Sequence, residues 1–254
     1  MNAAPDAIVF DLFGTLVFFD DERLPRALVD GRSVVMTVTD LPRILAEYAP
    51  GLETERFMAC LREVGAELLE YKRRMGIEIP TAVRFEQALQ RLGVEGAAAA
   101  SAAAEMAEAH MESLAGAVVV PSGRGRLLER LGATYRLALV SNFDHGPTAR
   151  RVLAQAGLDV HLESIVISAE QGIRKPSASI FRRACGELDL APSRCLYVGD
   201  TFAEDVEGAT AAGLASVWVT RDSSAAAPAL AAVADVEELP AWLEARFSGP
   251  GGGR

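Results

Sequence analysis

Short runs of apolar, often β-branched residues recur along the chain, and each run ends at polar or glycine-containing positions. The first extends from Ala7 to Phe10 and is followed by Asp11 and the turn-prone Gly14. A run of this length, bounded by turn residues, is typical of a buried strand. Four later runs have the same character: Tyr135 to Val140, Ser164 to Ile167, Cys195 to Val198 and Ala215 to Val219. The pattern predicts a buried strand at each of these places.

Amphipathic helical stripes lie between the predicted strands. The clearest is formed by Ala149, Val152, Leu153 and Ala156, and Gly157 ends that helix. A second stripe consists of Ile180, Phe181, Ala184, Cys185 and Leu188. Strands that alternate with helices predict βαβ units. From about residue 118 onward we therefore expect an α/β fold, a doubly wound parallel sheet with a Rossmann-like core.

Residues 17–117 follow a different pattern, in which helical periodicity dominates and strand signals are scarce. One long amphipathic helix is predicted by apolar residues that step by four and three: Phe57, Leu61, Val64, Leu68, Tyr71 and Met75. Further helices are predicted from Ala82 to Leu92 and from Gly96 to Leu114. The alanines between 97 and 104 are also compatible with a linker, since alanine buries little area. We predict an α-helical insertion at 17–117 within an α/β domain made of 1–16 and 118–247, and a disordered tail at 248–254.

The charge balance limits the classes of partner. The chain has 25 Lys and Arg against 35 Asp and Glu, a formal net charge of −10. A nucleic-acid-binding protein needs a basic face, and the chain offers only the short cluster Lys72-Arg73-Arg74, which we expect at a helix C-terminus. Nucleic acid is therefore not predicted as a partner. The three cysteines show no metal-binding or disulfide spacing, so we expect neither a zinc site nor a disulfide framework.

The first residues, MNAAPDAIVFDLFG, lack a basic segment and are interrupted by Asp6 and Asp11. This pattern predicts neither a signal peptide nor a transmembrane helix, and no later apolar run is long enough to span a membrane. We expect a cytoplasmic protein without a membrane partner.

Chemically capable side chains follow the carboxyl ends of the predicted strands, where ligands bind in open parallel sheets. They are Asp11, Ser141, Asn142, Lys175, Asp200 and Asp205. Three carboxylates at one edge repel each other unless a cation joins them, and carboxylate oxygens suit Mg²⁺. Together with one Mg²⁺ and Lys175, the three carboxylates would sum to zero charge. The sequence therefore predicts a site for Mg²⁺ and a small anionic substrate.

The same segments, in order, resemble four motifs of the haloacid dehalogenase-like hydrolase superfamily. FDLFGTL at 10–16 is similar to the first motif, and Ser141-Asn142 to the second. Lys175 in GIRKP is similar to the third, and VGDTFAED at 198–205 to the fourth. Four motifs in order on predicted strand ends are a specific signal. The resemblance implies that the helical insertion is a cap, which closes over the carboxyl edge of the sheet and selects the substrate.

The resemblance implies a two-step displacement with Asp11 as the nucleophile that forms an aspartyl-phosphate. Asp11, Asp200 and the backbone carbonyl of Phe13 would hold Mg²⁺, and Asp205 would support the metal and its waters.

The remaining motif residues are implied to act on the substrate. Ser141, Asn142 and Lys175 would bind the phosphoryl oxygens, where negative charge must be stabilised. Thr15 would order the first loop beside the substrate.

Phe13 departs from the phosphatase pattern, which has a second aspartate two residues after the nucleophile. That aspartate protonates the leaving group, and a positioned general acid contributes about 10²–10⁴-fold. An aromatic residue there is similar to the dehalogenase branch, whose halide leaves unprotonated. Asp200, however, is a metal-binding feature that this branch lacks.

We favour a Mg²⁺-dependent phosphatase of a small phosphorylated metabolite. The alternatives are a metal-independent 2-haloacid dehalogenase and a catalytically weak ligand-binding or regulatory protein.

His145, in SNFDHG after the second motif, is a candidate for the missing acid, although a loop histidine is more often a surface residue. His110 and His161 show no partner pattern.

Overall fold

The computed structural model describes residues 3–29, 32–221 and 231–247, and its contacts divide the chain into two units. The first unit comprises Met1–Phe18, Val119–Phe143 and Ala149–Arg254, and the second comprises Phe19–Val118 and Asp144–Thr148. The second unit thus takes in five residues after the second motif that the sequence analysis assigned to the α/β domain. The tail predicted to be disordered, 248–254, lies outside the described residues.

The described strands and helices follow one another along the whole chain. The strands are β1 (Ala7–Phe10), β2 (Phe18–Phe19), β3 (Arg26–Val29), β4 (Arg32–Val35), β5 (Val118–Val119), β6 (Arg136–Ser141), β7 (Ser164–Ile167), β8 (Cys195–Gly199), β9 (Ala215–Val219) and β10 (Ala231–Val233). The helices are α1 (Leu41–Tyr48), α2 (Thr54–Met75), α3 (Thr81–Arg91), α4 (Gly96–Gly116), α5 (Arg124–Gly132), α6 (Gly146–Ala156), α7 (Ser168–Gln171), α8 (Ala178–Glu187), α9 (Gly208–Ala212) and α10 (Leu239–Phe247). In these described ranges no helix is long and apolar enough to cross a membrane.

Six strands of the first unit form one sheet in the order β10-β9-β8-β1-β6-β7, and every pair is parallel. Buried parallel strands are apolar on both faces, which explains the continuous apolar runs in the sequence. The chain leaves β1 towards β6 and β7 and later returns to the other side of β1 through β8. This change of direction makes the carboxyl ends of β1, β6 and β8 the expected ligand position. The predicted doubly wound α/β class is confirmed.

The edge strand β10 was not predicted from the sequence. It contains only Ala231, Ala232 and Val233, and two of these residues have low strand propensity. Parallel pairing with Val217 to Val219 of β9, rather than the local sequence, stabilises β10 as a strand.

One face of the sheet packs on apolar side chains from α8 and α9. The buried residues include Ile180, Phe181 and Cys185 of α8 and Cys195 of β8. Tyr197 of β8 lies fully buried in the same layer, and its ring meets Phe181 edge to face at 5.0 Å between centroids. This packing fixes the tyrosine where its hydroxyl can serve the site described below.

The second unit contains four helices and, in addition, an antiparallel hairpin of β3 and β4 in which Arg26 pairs with Val35. The hairpin corrects the prediction of a purely helical insertion. Each strand has only four residues, so its pairing across the hairpin, rather than a long apolar run, determines its conformation. Helices α2, α3 and α4 agree closely with their predicted ranges, whereas α1 was not predicted. The basic cluster lies in the last turn of α2, which ends at Gly76 with φ of 66°.

The alanine-rich segment forms the complete helix α4 rather than a linker. Ala99, Ala102 and Ala103 are buried on one face of it, in a cluster that also contains Phe85 and Leu89 of α3. Small side chains allow two helix backbones to approach closely. The alanines therefore contribute a packing surface despite their small area.

Hydrogen bonds link Thr37, His110 and Arg84 in the second unit. The Nδ1 of His110 lies 2.7 Å from the Thr37 hydroxyl, and Arg84 Nη2 lies 3.2 Å from His110 Nε2. A guanidinium only donates, so Nε2 accepts and Nδ1 carries the proton. Burial and the Arg84 charge lower the pKa of His110 to about 4. The folded state therefore holds this imidazole in its neutral form.

We expect His110→Gln to flatten the pH dependence of stability between about pH 6.5 and about pH 4. In the wild type the unfolded chain takes up the proton before the folded chain does, so stability falls as pH falls through this window. Each pKa unit is worth about 1.4 kcal/mol, which makes the expected loss a few kcal/mol. Urea unfolding at about pH 7 and about pH 4.5 measures it. The control His161→Gln should keep the wild-type slope, and parallel slopes for all three proteins would contradict the prediction.

Candidate active site

The ends of the central strands bring the predicted polar residues together in the first unit. Asp11 directly follows β1, Ser141 ends β6, and Lys175 lies in the loop between α7 and α8. Asp200 directly follows β8, and Asp205 lies in a π-helical turn at Phe202–Glu207. Such turns are rare and occur frequently at functional sites.

Lys175 is the centre of the hydrogen-bond network. Its ammonium group donates to Asp11 Oδ1 at 2.5 Å, to Asp205 Oδ1 at 2.6 Å and to the Tyr197 hydroxyl at 2.9 Å. The lysine and both carboxylates are buried. An ammonium group has three donors, and all three are used here. The side chain of Lys175 is thereby fixed between two residues that lie far apart in the sequence.

Burial and charge shift the pKa values of the site in opposite directions. Burial raises the pKa of Asp11 to about 7, Lys175 opposes this shift, and Asp205 adds to it. Burial alone would lower the pKa of Lys175, but Asp11 and Asp205 outweigh it and raise the value. Burial, followed by the charge of Asp205, raises the pKa of Asp200. The site therefore contains more acidic groups than basic ones, and this excess adds to the rise of the carboxyl pKa values.

The three carboxylates are close enough to share one cation. Ligand oxygens from Asp11, Asp200 and Asp205 all lie within 4.8 Å of one another. With all three ionised and Lys175 protonated, the cluster carries two negative charges. Hard oxygen ligands with a net double negative charge fit Mg²⁺. These residues can therefore hold a divalent metal ion.

Two glycines give the carboxylates the space they occupy. A Cβ at Gly14, whose φ is 90°, would lie 2.4 Å from Asp200 Oδ2. A Cβ at Gly199 would lie 2.4 Å from Asp205 Cγ. Both distances are far below van der Waals contact. A side chain at position 14 would therefore displace Asp200, and a side chain at position 199 would displace Asp205.

Neighbouring groups hold these aspartates in place. The Thr201 backbone N–H donates to Asp205 Oδ2 at 2.9 Å, and the Trp218 indole N–H donates to the backbone carbonyl of Asp200 at 2.8 Å. The Thr15 hydroxyl lies 3.5 Å from Asp200 Oδ1. Thr15 thus orients a carboxylate from within the first loop.

Ser141 and Asn142 differ in the partners they have. The Ser141 hydroxyl is buried and has no hydrogen-bond partner among the residues that the structure describes. Asn142 instead accepts from the Lys175 backbone N–H at 2.8 Å and donates to Glu204 Oε2 at 2.8 Å and to the Lys175 carbonyl at 3.0 Å. Ser141 can donate to a ligand, whereas the Asn142 amide positions the Lys175 loop.

The sequence analysis missed Tyr197 and Glu204. Tyr197 lies inside an apolar strand, and its position two residues before Gly199 on the same face of β8 was the only signal for it. Glu204 adjoins Asp205, and its second oxygen accepts from Arg174 at 3.2 Å. Its role depends on contacts with residues far away in the sequence, which local patterns do not reveal.

Phe13 has an apolar partner in the first unit. Its ring stacks on that of Phe143, with 4.7 Å between centroids and 29° between planes. Two aromatic rings therefore stand next to the first and second motifs, where the phosphatase pattern has a carboxylic acid. Whether the Phe13 carbonyl binds a metal stays a prediction.

His145, the candidate for the missing acid, belongs to the second unit, as do two aspartates that lie near the motifs in the sequence. His145 contacts the Thr148 hydroxyl at 2.9 Å and Glu108 at 3.6 Å. Asp20 caps a short helical turn by accepting from the Glu22 N–H, and Asp144 lies 3.5 Å from the Lys72 ammonium. Each of these residues has a structural partner of its own.

The strand order and the strand ends define a doubly wound α/β protein with a buried carboxylate-lysine cluster at the expected ligand position. The chain belongs to the haloacid dehalogenase-like hydrolases, whose family model matches residues 5–213. This match confirms the resemblance inferred from the motifs.

Individual relatives include phosphatases. The chain is 34% identical to N-acylneuraminate-9-phosphatase of Rattus norvegicus over 125 residues, 46% of this chain and 49% of that protein. It is 35% identical to phosphoserine phosphatase of Thermus thermophilus over 137 residues, 54% of this chain and 53% of that protein. The match thus spans about half the length of these relatives.

The fold is similar to that of a 2-haloacid dehalogenase from Pseudomonas syringae. The TM-score is 0.72, the sequence identity is 23%, and the match covers 95% of this chain and 99% of that one.

We expect Gly14→Ala to weaken Mg²⁺ binding at least about tenfold, because the new methyl group displaces Asp200. Isothermal titration calorimetry measures the affinity. The control is Gly213→Ala, where φ is 97° and the nearest atom to the new Cβ lies at 3.6 Å. Both variants acquire the strain of a left-handed residue, about 1 kcal/mol, but the control should bind Mg²⁺ as the wild type does. Equal affinities in both variants would contradict this account of Gly14.

Proposed function

We propose that the chain is a Mg²⁺-dependent phosphatase that hydrolyses a small phosphorylated metabolite through an aspartyl-phosphate on Asp11. The observation that carries the proposal is the cluster of three carboxyl groups, whose ligand oxygens lie within 4.8 Å of one another and two of which bind Lys175. A dehalogenase that needs no metal has no use for Asp200 in this cluster. The phosphatase relatives support the same reading.

Asp11, Asp200, Asp205 and the Phe13 carbonyl would hold the Mg²⁺ ion. When bound, the ion neutralises charge on the phosphoryl oxygens and draws the anionic substrate to the carboxylates.

Asp11 supplies the nucleophile in the first step. Lys175 binds one of its oxygens, which fixes the carboxylate plane. A carboxylate oxygen attacks phosphorus, a new O–P bond forms, and the bond from phosphorus to the leaving oxygen breaks. In the second step water attacks phosphorus, which releases phosphate and restores Asp11. Splitting the reaction in this way replaces one difficult step by two easier ones.

Ser141 and Lys175 stabilise the charge that develops on the transferred group. The buried Ser141 hydroxyl donates to a phosphoryl oxygen, and the Lys175 ammonium adds a positive charge that burial leaves unscreened. Asn142 acts through Lys175, because its amide binds both backbone groups of that residue. Thr15 keeps Asp200 oriented.

Phe13 determines which leaving groups the site accepts. It offers no proton, so the leaving oxygen departs as an anion or takes its proton from water. Good leaving groups, such as acyl and aryl phosphates, tolerate this condition, and simple alkyl phosphates do not. The stacked Phe13 and Phe143 rings also favour a second candidate, 2-haloacid dehalogenation, since halide leaves without a proton.

We expect turnover of acyl and aryl phosphates with Mg²⁺, and alkyl phosphates slower by about 10²–10⁴-fold. A series of phosphate esters with graded leaving-group pKa, assayed with Mg²⁺ and with a chelator, measures this dependence. The Asp11→Asn variant is the control for contaminating phosphatases and should be inactive. Halide release from a 2-haloacid without metal, with no reaction of any phosphate, would overturn the proposal in favour of the dehalogenase.

The same series on Phe13→Asp should narrow the gap between alkyl and aryl substrates, because the new carboxyl group provides the missing acid. Phe13→Asn, which has a similar size and no acidic proton, is the matched control and should keep the gap. If the wild type already hydrolyses alkyl and aryl phosphates equally fast, another group supplies the proton, and this account of Phe13 is wrong.

A further inference from the structure

The second unit contains a cavity of about 760 Å³ that the mechanism above does not use. This volume is within the range of small-molecule sites. Most of its wall is apolar and comes from β4, α2 and the segments next to them. The principal apolar residues are Val34, Met36, Met58, Leu61, Leu68 and Phe85. All lining residues belong to the second unit, so the cavity is a feature of that unit alone.

One part of the wall has polar groups without partners. The Nε of Arg84 and the hydroxyl of Thr81 are both buried, and neither has a hydrogen-bond partner in the described part of the chain. Both residues lie on α3 at i and i+3, a spacing that places them on one face of the helix. Buried polar groups are almost always satisfied, so two unsatisfied groups on one cavity wall point to a ligand.

The guanidinium of Arg84 has no carboxylate in direct contact among the described residues. Within the described ranges its guanidinium forms no ion pair, and its neighbour His110 is neutral and accepts from it. Burial lowers the pKa of Arg84, and the charge of Asp144 only partly opposes this shift. The ring of Phe85 lies 4.9 Å from the guanidinium carbon and offers only a cation-π contact.

The other buried cation on the cavity wall is already neutralised. The Lys72 ammonium lies 2.5 Å from Glu78 and 3.5 Å from Asp144. Glu78 and Asp144 together balance the charges of Lys72 and Arg84, so these four groups sum to zero charge, and the Nε donor of Arg84, unpaired among the described residues, remains available for a ligand. A doubly charged phosphate would be repelled there, whereas a single carboxylate matches one guanidinium in charge and geometry.

We propose that this cavity binds an amphipathic monocarboxylate, with its carboxylate on Arg84 Nε and the Thr81 hydroxyl and its apolar body against α2 and β4. The proposal stands apart from the phosphatase reaction, because its residues include none of the proposed catalytic groups. An apolar wall of this size and two unsatisfied donors are the properties that such a ligand requires.

Isothermal titration calorimetry on the full chain tests the proposal with three ligands of equal length, decanoate, decanol and decylamine. We expect decanoate to bind at least about tenfold more tightly than decanol, as a charged hydrogen bond requires, and decylamine to bind most weakly. Asp11→Asn should bind decanoate as the wild type does. A changed affinity for decanoate in that variant, in either direction, would place the ligand at the catalytic site and overturn the proposal, independently of whether the phosphatase reaction is found.

Arg84→Met should weaken decanoate binding at least about tenfold and leave decanol binding unchanged. The matched control is Arg62→Met, since Arg62 also lines the cavity but is exposed. Thr81→Val, which removes only the hydroxyl, tests the same contact if Arg84→Met does not fold. Equal affinities for decanoate and decanol, equal effects of the two arginine substitutions, or no binding of decanoate would each overturn the proposal.

Discussion

The buried ammonium group of Lys175 holds the catalytic end of the sheet together. A charge in the protein interior is costly unless it is paired and hydrogen-bonded, and here Asp11, Asp205 and Tyr197 satisfy all three donors. These partners come from the end of β1, from the middle of β8 and from the turn after β8. The parallel pairing of β1 with β8 is therefore what allows one lysine to bind both carboxylates.

The charge that Lys175 leaves uncompensated determines the chemistry. One ammonium beside three ionised carboxylates favours a further cation, and their ligand oxygens, within 4.8 Å of one another, could hold it. A cation at this position would suit an anionic substrate better than a neutral one, and the buried Ser141 hydroxyl at the end of β6, unpaired among the described residues, has a free donor for it. In the proposed reaction, the stacked Phe13 and Phe143 rings offer no proton, so leaving groups that need none are expected to react best.

Local sequence patterns predicted the parts of the structure that local interactions determine. Strand β7 has the predicted bounds, and α2 follows its apolar stripe, because periodicity alone specifies such elements. The motif residues at the strand ends were also predicted, because each motif is a short continuous stretch of sequence. The hairpin of β3 and β4 and the edge strand β10 were not predicted, since pairing with another strand stabilises them. The role of Asn142 in positioning Lys175 also depends on contacts 33 residues apart.

The central claim is that Asp11 carries the phosphoryl group during turnover. Its most direct test is mass spectrometry of peptides from the Mg²⁺-loaded protein after acid quenching during the hydrolysis of an aryl phosphate. The account predicts one added phosphoryl group on the peptide that contains Asp11, and none in the Asp11→Asn protein. Steady release of phosphate without this adduct, or with a phosphoryl group on another residue, would contradict it.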